Sequence, residues 1–370
     1  MAQIVTGRKK NLEELRCLAM LMVVVLHFLG KGKLLGDPSN AEMSAVNLVA
    51  WGIEAFCIVA VNVYMLISGY VLCESSFKLK RALMLYLQIW MYSVGVGIVA
   101  ALTGLVPAAE VDTHYYLSLL FPISMGHYWF MTAYFVLYLM LPLLTIAVNR
   151  MSKEWLKRVL IMLLGYFCVL KSILPVRLEQ DGMGYDVLWY LCLFLLAAYI
   201  RKYGIPFLKS RLVCVALYVG GCVLAFAELM CLRTLYLSGG SFGLIMKISF
   251  EYNHIFVLMA SVGLFGLFLT GDGEHFLGRF FSGLAPFVLG VYLLHENIGV
   301  RYGWQILFGV NRIQSIPELV WKTVLAAMTV FVLGIAVEWL RVQIVKLIGK
   351  LLGLLPCWCR LVKKVEGVEQ

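Results

Sequence analysis

The chain alternates long apolar stretches with short polar connections. Ten stretches read as membrane helices, each of which needs about 20 mostly apolar residues. They cover 12–30, 45–72, 82–104, 126–148, 157–175, 186–200, 212–231, 251–270, 283–300 and 319–345. The second and tenth are long enough to tilt or to protrude from the lipid. The pattern predicts an all-α fold, a polytopic helical bundle of about ten transmembrane helices with both termini cytosolic. Residues 8–345 form one membrane domain, and 346–370 form a basic cytosolic tail. The longest outer connection, about 105–125, holds Glu110 and Asp112 but no base, and is too short for a soluble domain. No strong internal repeat supports an inverted-repeat transporter.

Composition sharpens this picture. Of 370 residues, 62% are hydrophobic and 14% charged, against about 25% charged in soluble domains. The net charge of +10 therefore reports loop topology, not nucleic-acid binding. With the amino terminus in the cytosol, Arg8, Lys9, Lys10, Lys78, Lys80, Arg81, Arg150, Lys153, Lys157 and Arg158 all fall on the cytosolic side. So do Arg201, Lys202, Lys209, Arg211 and the C-terminal bases, while the outer side holds few, Arg177 and Arg233 among them. No small-residue cleavage site clearly follows the first apolar run, so the first helix is expected to stay. Eight of the ten cysteines lie in or beside apolar stretches, where cysteine behaves as a small hydrophobe. Cys357-Trp358-Cys359 lacks a second ligand pair, and no metal is expected.

Polar residues inside the apolar stretches are the candidates for chemistry, since ionisable groups in lipid persist mainly where they serve a function. The first stretch holds Arg16 and His27 with ten residues between them. Eleven steps of 100° bring the two onto one helix face, about 16 Å apart along the axis. Arg16 suits an anion clamp, and His27 a group that exchanges a proton near neutral pH. The plain alternatives are an arginine that snorkels or pairs with Glu13, and a histidine bonded between helices. Ser68-Gly69-Tyr70 ends the second stretch, followed by the basic residues Lys78, Lys80 and Arg81. With Arg16 they could bind a polyanionic cytosolic cofactor, or simply be a positive-inside loop. Toward the outer side lie Gly126-His127-Tyr128-Trp129-Phe130, Glu228, Glu251, Asn253 and His254, and the polar triplet His295-Glu296-Asn297. Aromatics beside polar groups suit a sugar acceptor and equally suit a membrane interface.

Taken in order, these features resemble the acyltransferase-3 family. The matching motifs are Arg16-x10-His27, Ser68-Gly69-Tyr70, the basic loop, His127-Tyr128-Trp129-Phe130-Met131-Thr132-Ala133-Tyr134, and Val291-Tyr292-Leu293-Leu294-His295. Members are multi-pass enzymes of the bacterial cytoplasmic membrane that O-acylate cell-surface glycans. The basic loop departs from the pair of arginines common there, with Lys78, Lys80 and Arg81 instead. The resemblance implies acetyl-CoA or another acyl-CoA as donor, with a polysaccharide or lipid-linked glycan as acceptor and membrane lipid around the protein. It implies Arg16, Ser68, Gly69, Tyr70, Lys78, Lys80 and Arg81 as donor-binding residues. His27 and Arg16 are the expected catalytic residues, with His27 as general base or as the carrier of the acyl group in an acyl-histidine. Trp129, Glu251, His254, His295 and Glu296 are expected at the acceptor. A transporter or flippase for a lipid-linked sugar is the competing reading, since it also needs many spans and an embedded polar set.

Overall fold

A computed structural model describes residues 10–174, 179 and 181–352. Arg8, Lys9, Arg177, the Cys357–Cys359 motif and the tail beyond residue 352 lie outside the described residues. The described chain is all-helical, with no strand among its residues. Its helices are α1 (Lys10–Lys31), α2 (Ala45–Cys57), α3 (Ala60–Leu72), α4 (Leu79–Leu102), α5 (Thr113–Leu120), α6 (Trp129–Leu139), α7 (Leu141–Arg150), α8 (Lys153–Leu164), α9 (Lys171–Ile173), α10 (Val187–Tyr203), α11 (Arg211–Leu237), α12 (Ile255–Leu269), α13 (Phe276–Leu284), α14 (Val288–His295) and α15 (Ile316–Leu352).

Each apolar stretch named above contains helix, but among the described residues only six helical segments, some with short breaks such as that between α2 and α3, are long and apolar enough to cross a membrane. Helices α6 and α7, bent by 57°, make a seventh if they count as one span. The other stretches fall short for local reasons. Helix α1 carries Glu13, Glu14 and Arg16 in its first turns, α10 has 17 residues, and a π-helical segment at Gly165–Leu170 separates α8 from α9.

Local chemistry sets several helix starts. Ser44 and Asn47 exchange side-chain to backbone hydrogen bonds at the head of α2, a capping box that satisfies two otherwise orphaned donors. Asp186 accepts from the Trp189 N–H at the head of α10, and Ser152 does the same for Trp155 in α8. Helix α1 is the hub. It packs against α2, α3, α12, α13, α14 and α15, and its Leu15, Ala19, Val24, Phe28 and Leu29 are wholly buried. Gly69 allows α3 to cross α10 closely. A Cβ there would lie 2.8 Å from the Phe194 Cα and 2.9 Å from the Ala197 Cβ. The eight described cysteines are free thiols, seven of them buried.

Candidate active site

The site is built on one face of α1. Arg16, Met20, Val23 and His27 follow one another at helical spacing, and all four line a single cavity of about 260 Å³. The arginine and the histidine therefore border one space. Its walls come from α3, α4, α6, α14, the segment before α12 and the turn that leads into α14. Apolar and aromatic side chains dominate, with a few polar groups at the two ends, as in most small-molecule sites.

At the first end, Arg16 Nη1 donates to both carboxylate oxygens of Glu13, at 2.8 and 2.9 Å. The pair steadies the guanidinium and engages one of its nitrogens, out of five N–H donors in all. The Tyr64 hydroxyl donates to the Arg16 carbonyl at 2.7 Å. Ser68, Arg81 and Tyr134 complete this end. Lys78 and Lys80 are exposed at the start of α4 and do not line the cavity. Gly69 belongs to the α3–α10 crossing. Tyr70 turns the other way, under the Arg201 guanidinium at 5.0 Å from its ring centroid, and Arg201 also forks onto Glu74 at 2.8 and 3.0 Å.

At the second end His27 shares the wall with Trp129, Tyr252 and Tyr292. Its Nδ1 lies 2.9 Å from His295 Nε2 and 3.2 Å from Glu296 Oε2. The hydrogen bonds fix the tautomers. His295 Nδ1 is 2.6 Å from the Val291 carbonyl, which only accepts, so that nitrogen carries the proton. In the neutral ring, His295 Nε2 must then accept, so His27 Nδ1 donates. The lone pair of neutral His27 is left on Nε2.

Glu296 is buried and held by three partners. It pairs with Lys31, lies 3.8 Å from Arg301 Nη1, and faces His27. Arg301 is itself anchored on the His127 carbonyl at 2.6 Å. Asn297, the third member of the triplet, donates to the Tyr128 hydroxyl at 3.0 Å and to the Tyr92 carbonyl at 3.1 Å. It thereby ties the end of α14 to α4 and to the residue before α6. His295 and Glu296 thus stand behind His27 and do not line the cavity. His27, His295 and Glu296 place ligand atoms within 4.8 Å of one another, a set that could hold zinc by residue type. Two cationic side chains on Glu296 oppose a further cation there.

Glu251 and His254 belong to a second polar cluster off the cavity wall. Lys171, buried beside the π-helical segment, pairs with Glu251, bonds Asn253, and lies 3.3 Å from Asp181 Oδ2. Asn253 also donates to Asp181 Oδ1 at 2.7 Å, and His254 Nε2 faces Glu228 Oε2 at 3.4 Å. Tyr252, next to Glu251 in the chain, does reach the cavity. Sequence reasoning did not single out Lys31, Arg301, Tyr64 or Tyr134 for this site. The signals available were the spacing of Lys31 four residues after His27 and the position of Arg301 just past the polar triplet.

The structure thus places a guanidinium and an imidazole on one internal cavity of a polytopic helical membrane protein. The family model described as an acyltransferase domain, acyltransferase-3, matches residues 9–340, and the chain belongs to that family. It is a membrane acyltransferase by that membership. Neither a curated protein nor a solved structure matches the chain.

Proposed function

We propose that the protein transfers an acyl group, most simply acetyl, from cytosolic acyl-CoA to a hydroxyl of a cell-surface or lipid-linked glycan. The observation that carries this reading is the one cavity that touches both Arg16 and His27. The bases clustered on alternate loops support the Arg16 end as cytosolic, with ten helical crossings and both termini on that side, in a bacterial cytoplasmic membrane. A cavity of about 260 Å³ lies below the range of about 300–1,000 Å³ for drug-sized ligands. It suits a slender pantetheine arm with its acyl group, and the nucleotide stays outside among Arg81, Lys78 and Lys80. Arg16 binds a phosphate or an amide oxygen of the donor at the inner mouth, with Ser68 and Tyr134 beside it. The rise of about 16 Å along α1 then carries the arm to His27.

The chemistry follows from the tautomer. His27 Nε2 takes the proton of the acceptor hydroxyl as its oxygen attacks the thioester carbonyl. The carbon–sulfur bond breaks, and the thiolate recovers the proton from Nε2. Throughout, Nδ1 donates to His295 or Glu296, and the Glu296 carboxylate stabilises the transient imidazolium. The test uses purified protein in nanodiscs with acetyl-CoA and a glycan acceptor. Acceptor-dependent release of free CoA with a matching O-acetyl ester supports the assignment. Substrate flux with no CoA release defeats it in favour of transport.

A further inference from the structure

A second cavity lies at the end of α1 past His27, away from Arg16. It measures about 440 Å³, and Lys33, Ser44, Asn47, Asn311 and Gln314 are its polar lining. None of these residues borders the cavity of Arg16 and His27. Hydrogen bonds fix one wall. Asn47 Nδ2 donates to the Leu34 carbonyl at 2.8 Å, and the Ser44 hydroxyl donates to Asn47 Oδ1 at 2.7 Å, which ties the head of α2 to the end of α1. The other wall seats on Gly32, where a Cβ would lie 2.7 Å from Val310 Cγ2. The Gln314 N–H donates to Glu318 Oε2 at 3.2 Å, but the side-chain amides of Asn311 and Gln314 have no hydrogen-bond partner among the described residues.

Lys33 sits in a costly backbone conformation. Its φ is +60°, and Met183 is the only other non-glycine residue at positive φ among the described residues. The Leu34 N–H donates to the Leu29 carbonyl at 2.9 Å and the Lys33 N–H to the Gly30 carbonyl at 3.1 Å. That pair of bonds ends a helix with a left-handed residue, usually glycine. A lysine there carries strain that glycine avoids, and strain kept beside a cavity points to use.

Charge sets the sign of the occupant. Lys31 and Arg301 share one carboxylate, Glu296. Lys33, and Arg312 next to Asn311, have no carboxylate within 4 Å among the described residues. Glu318 is taken by Lys322 at 2.6 Å, and Asp37 and Glu42, farther along the loop after α1, do not line the cavity. On the topology proposed above these bases lie on the outer side, where lysine and arginine are normally sparse.

We infer that this cavity is a second ligand site, which takes a small organic anion bearing phosphate or carboxylate. An ammonium and amide N–H groups donate to such oxygens. The volume falls within the range of about 300–1,000 Å³ for small-molecule sites, and the half-polar lining does not suit an acyl chain. The site goes beyond the acyl-transfer reading, and its test needs no turnover.

The test is isothermal titration calorimetry on the full chain in zwitterionic nanodiscs, with glycerol 3-phosphate as probe and glycerol as the neutral control. Saturable binding of glycerol 3-phosphate, and none of glycerol, is expected in the wild type and in Arg16→Ala, which removes a cation of the first cavity. Lys33→Gly and Lys33→Asn keep the left-handed conformation accessible and remove the charge. Each should weaken binding about tenfold or more. Glycine relieves the backbone, so Lys33→Gly should also leave the thermal midpoint unchanged or raised. No saturable binding of the probe, equal binding of glycerol, or wild-type affinity in both Lys33 variants overturns the site. A thermal midpoint of Lys33→Gly that falls along with its affinity overturns it in favour of a structural role for Lys33. Loss of binding in Arg16→Ala overturns it by placing the probe in the first cavity. Competition by phosphatidylglycerol added to the nanodiscs overturns it in favour of a lipid headgroup.

Discussion

Glu296→Gln isolates what the residues behind His27 contribute. The replacement keeps the volume and leaves an amide oxygen that can accept from His27 Nδ1, but it removes the negative charge. When His27 holds the acceptor proton, an imidazolium faces a carboxylate at 3.2 Å. At an effective dielectric of about 20 that attraction is ~5 kcal/mol. Lys31 and Arg301 share the same carboxylate, so this is an upper bound. The lower end is the loss of one charge-assisted hydrogen bond, about 1.5 kcal/mol. A value of about 2 kcal/mol, near the lower end, corresponds to a fall in kcat of about thirtyfold. The acetyl-CoA KM should stay within about twofold, because the donor phosphates are bound far from Glu296. The assay is CoA release by reconstituted protein, followed with a chromogenic thiol reagent across acetyl-CoA concentrations. Loss of a counterion for Lys31 is controlled by the double variant Glu296→Gln/Lys31→Met. If the damage came from an unpaired lysine, the double variant recovers activity. If it came from His27, the double variant stays slow. A kcat for Glu296→Gln within about threefold of wild type, or a defect wholly in donor KM, refutes the role given to this carboxylate.

Other substitutions probe the remaining parts. His27→Ala should lower acyl transfer by at least about a hundredfold, with donor binding retained in an equilibrium titration. Arg16→Ala should raise the acetyl-CoA KM by roughly tenfold or more, and an unchanged KM would remove Arg16 from the donor site. Gly69→Ala places a Cβ against α10 and should cost about 1–3 kcal/mol by overpacking, read as a lower thermal midpoint with no selective change in donor affinity. Lys171→Met removes the cation shared by Asp181 and Glu251 and should cost about 3–5 kcal/mol, seen as poor yield of folded protein in detergent.

The candidate site was legible to unequal degrees. The Arg16–His27 relation is local. It depends only on the helical repeat, and Met20 and Val23 fill in the same face between them. The role of Gly69 was not local, because whether a glycine meets a ligand or a neighbouring helix depends on what packs against it, here Phe194 and Ala197. His295 and Glu296 stood out as polar residues in an apolar stretch, but their direction could not be read. They meet His27 across 268 residues of chain, and only the packing of α1 against α14 brings them behind its ring.

By itself the sequence determined the helical class, the apolar stretches and the shared face of α1. These follow from side-chain transfer into lipid and from 3.6 residues per turn, both properties of short windows of chain. Tertiary structure decided which polar groups touch. It set Lys31 and Arg301 on Glu296, took Glu251 into an ion-pair cluster with Lys171, and turned Tyr70 toward Arg201. In a bilayer every embedded charge needs a partner, and that partner generally sits on another helix, so its identity is a property of the assembled bundle.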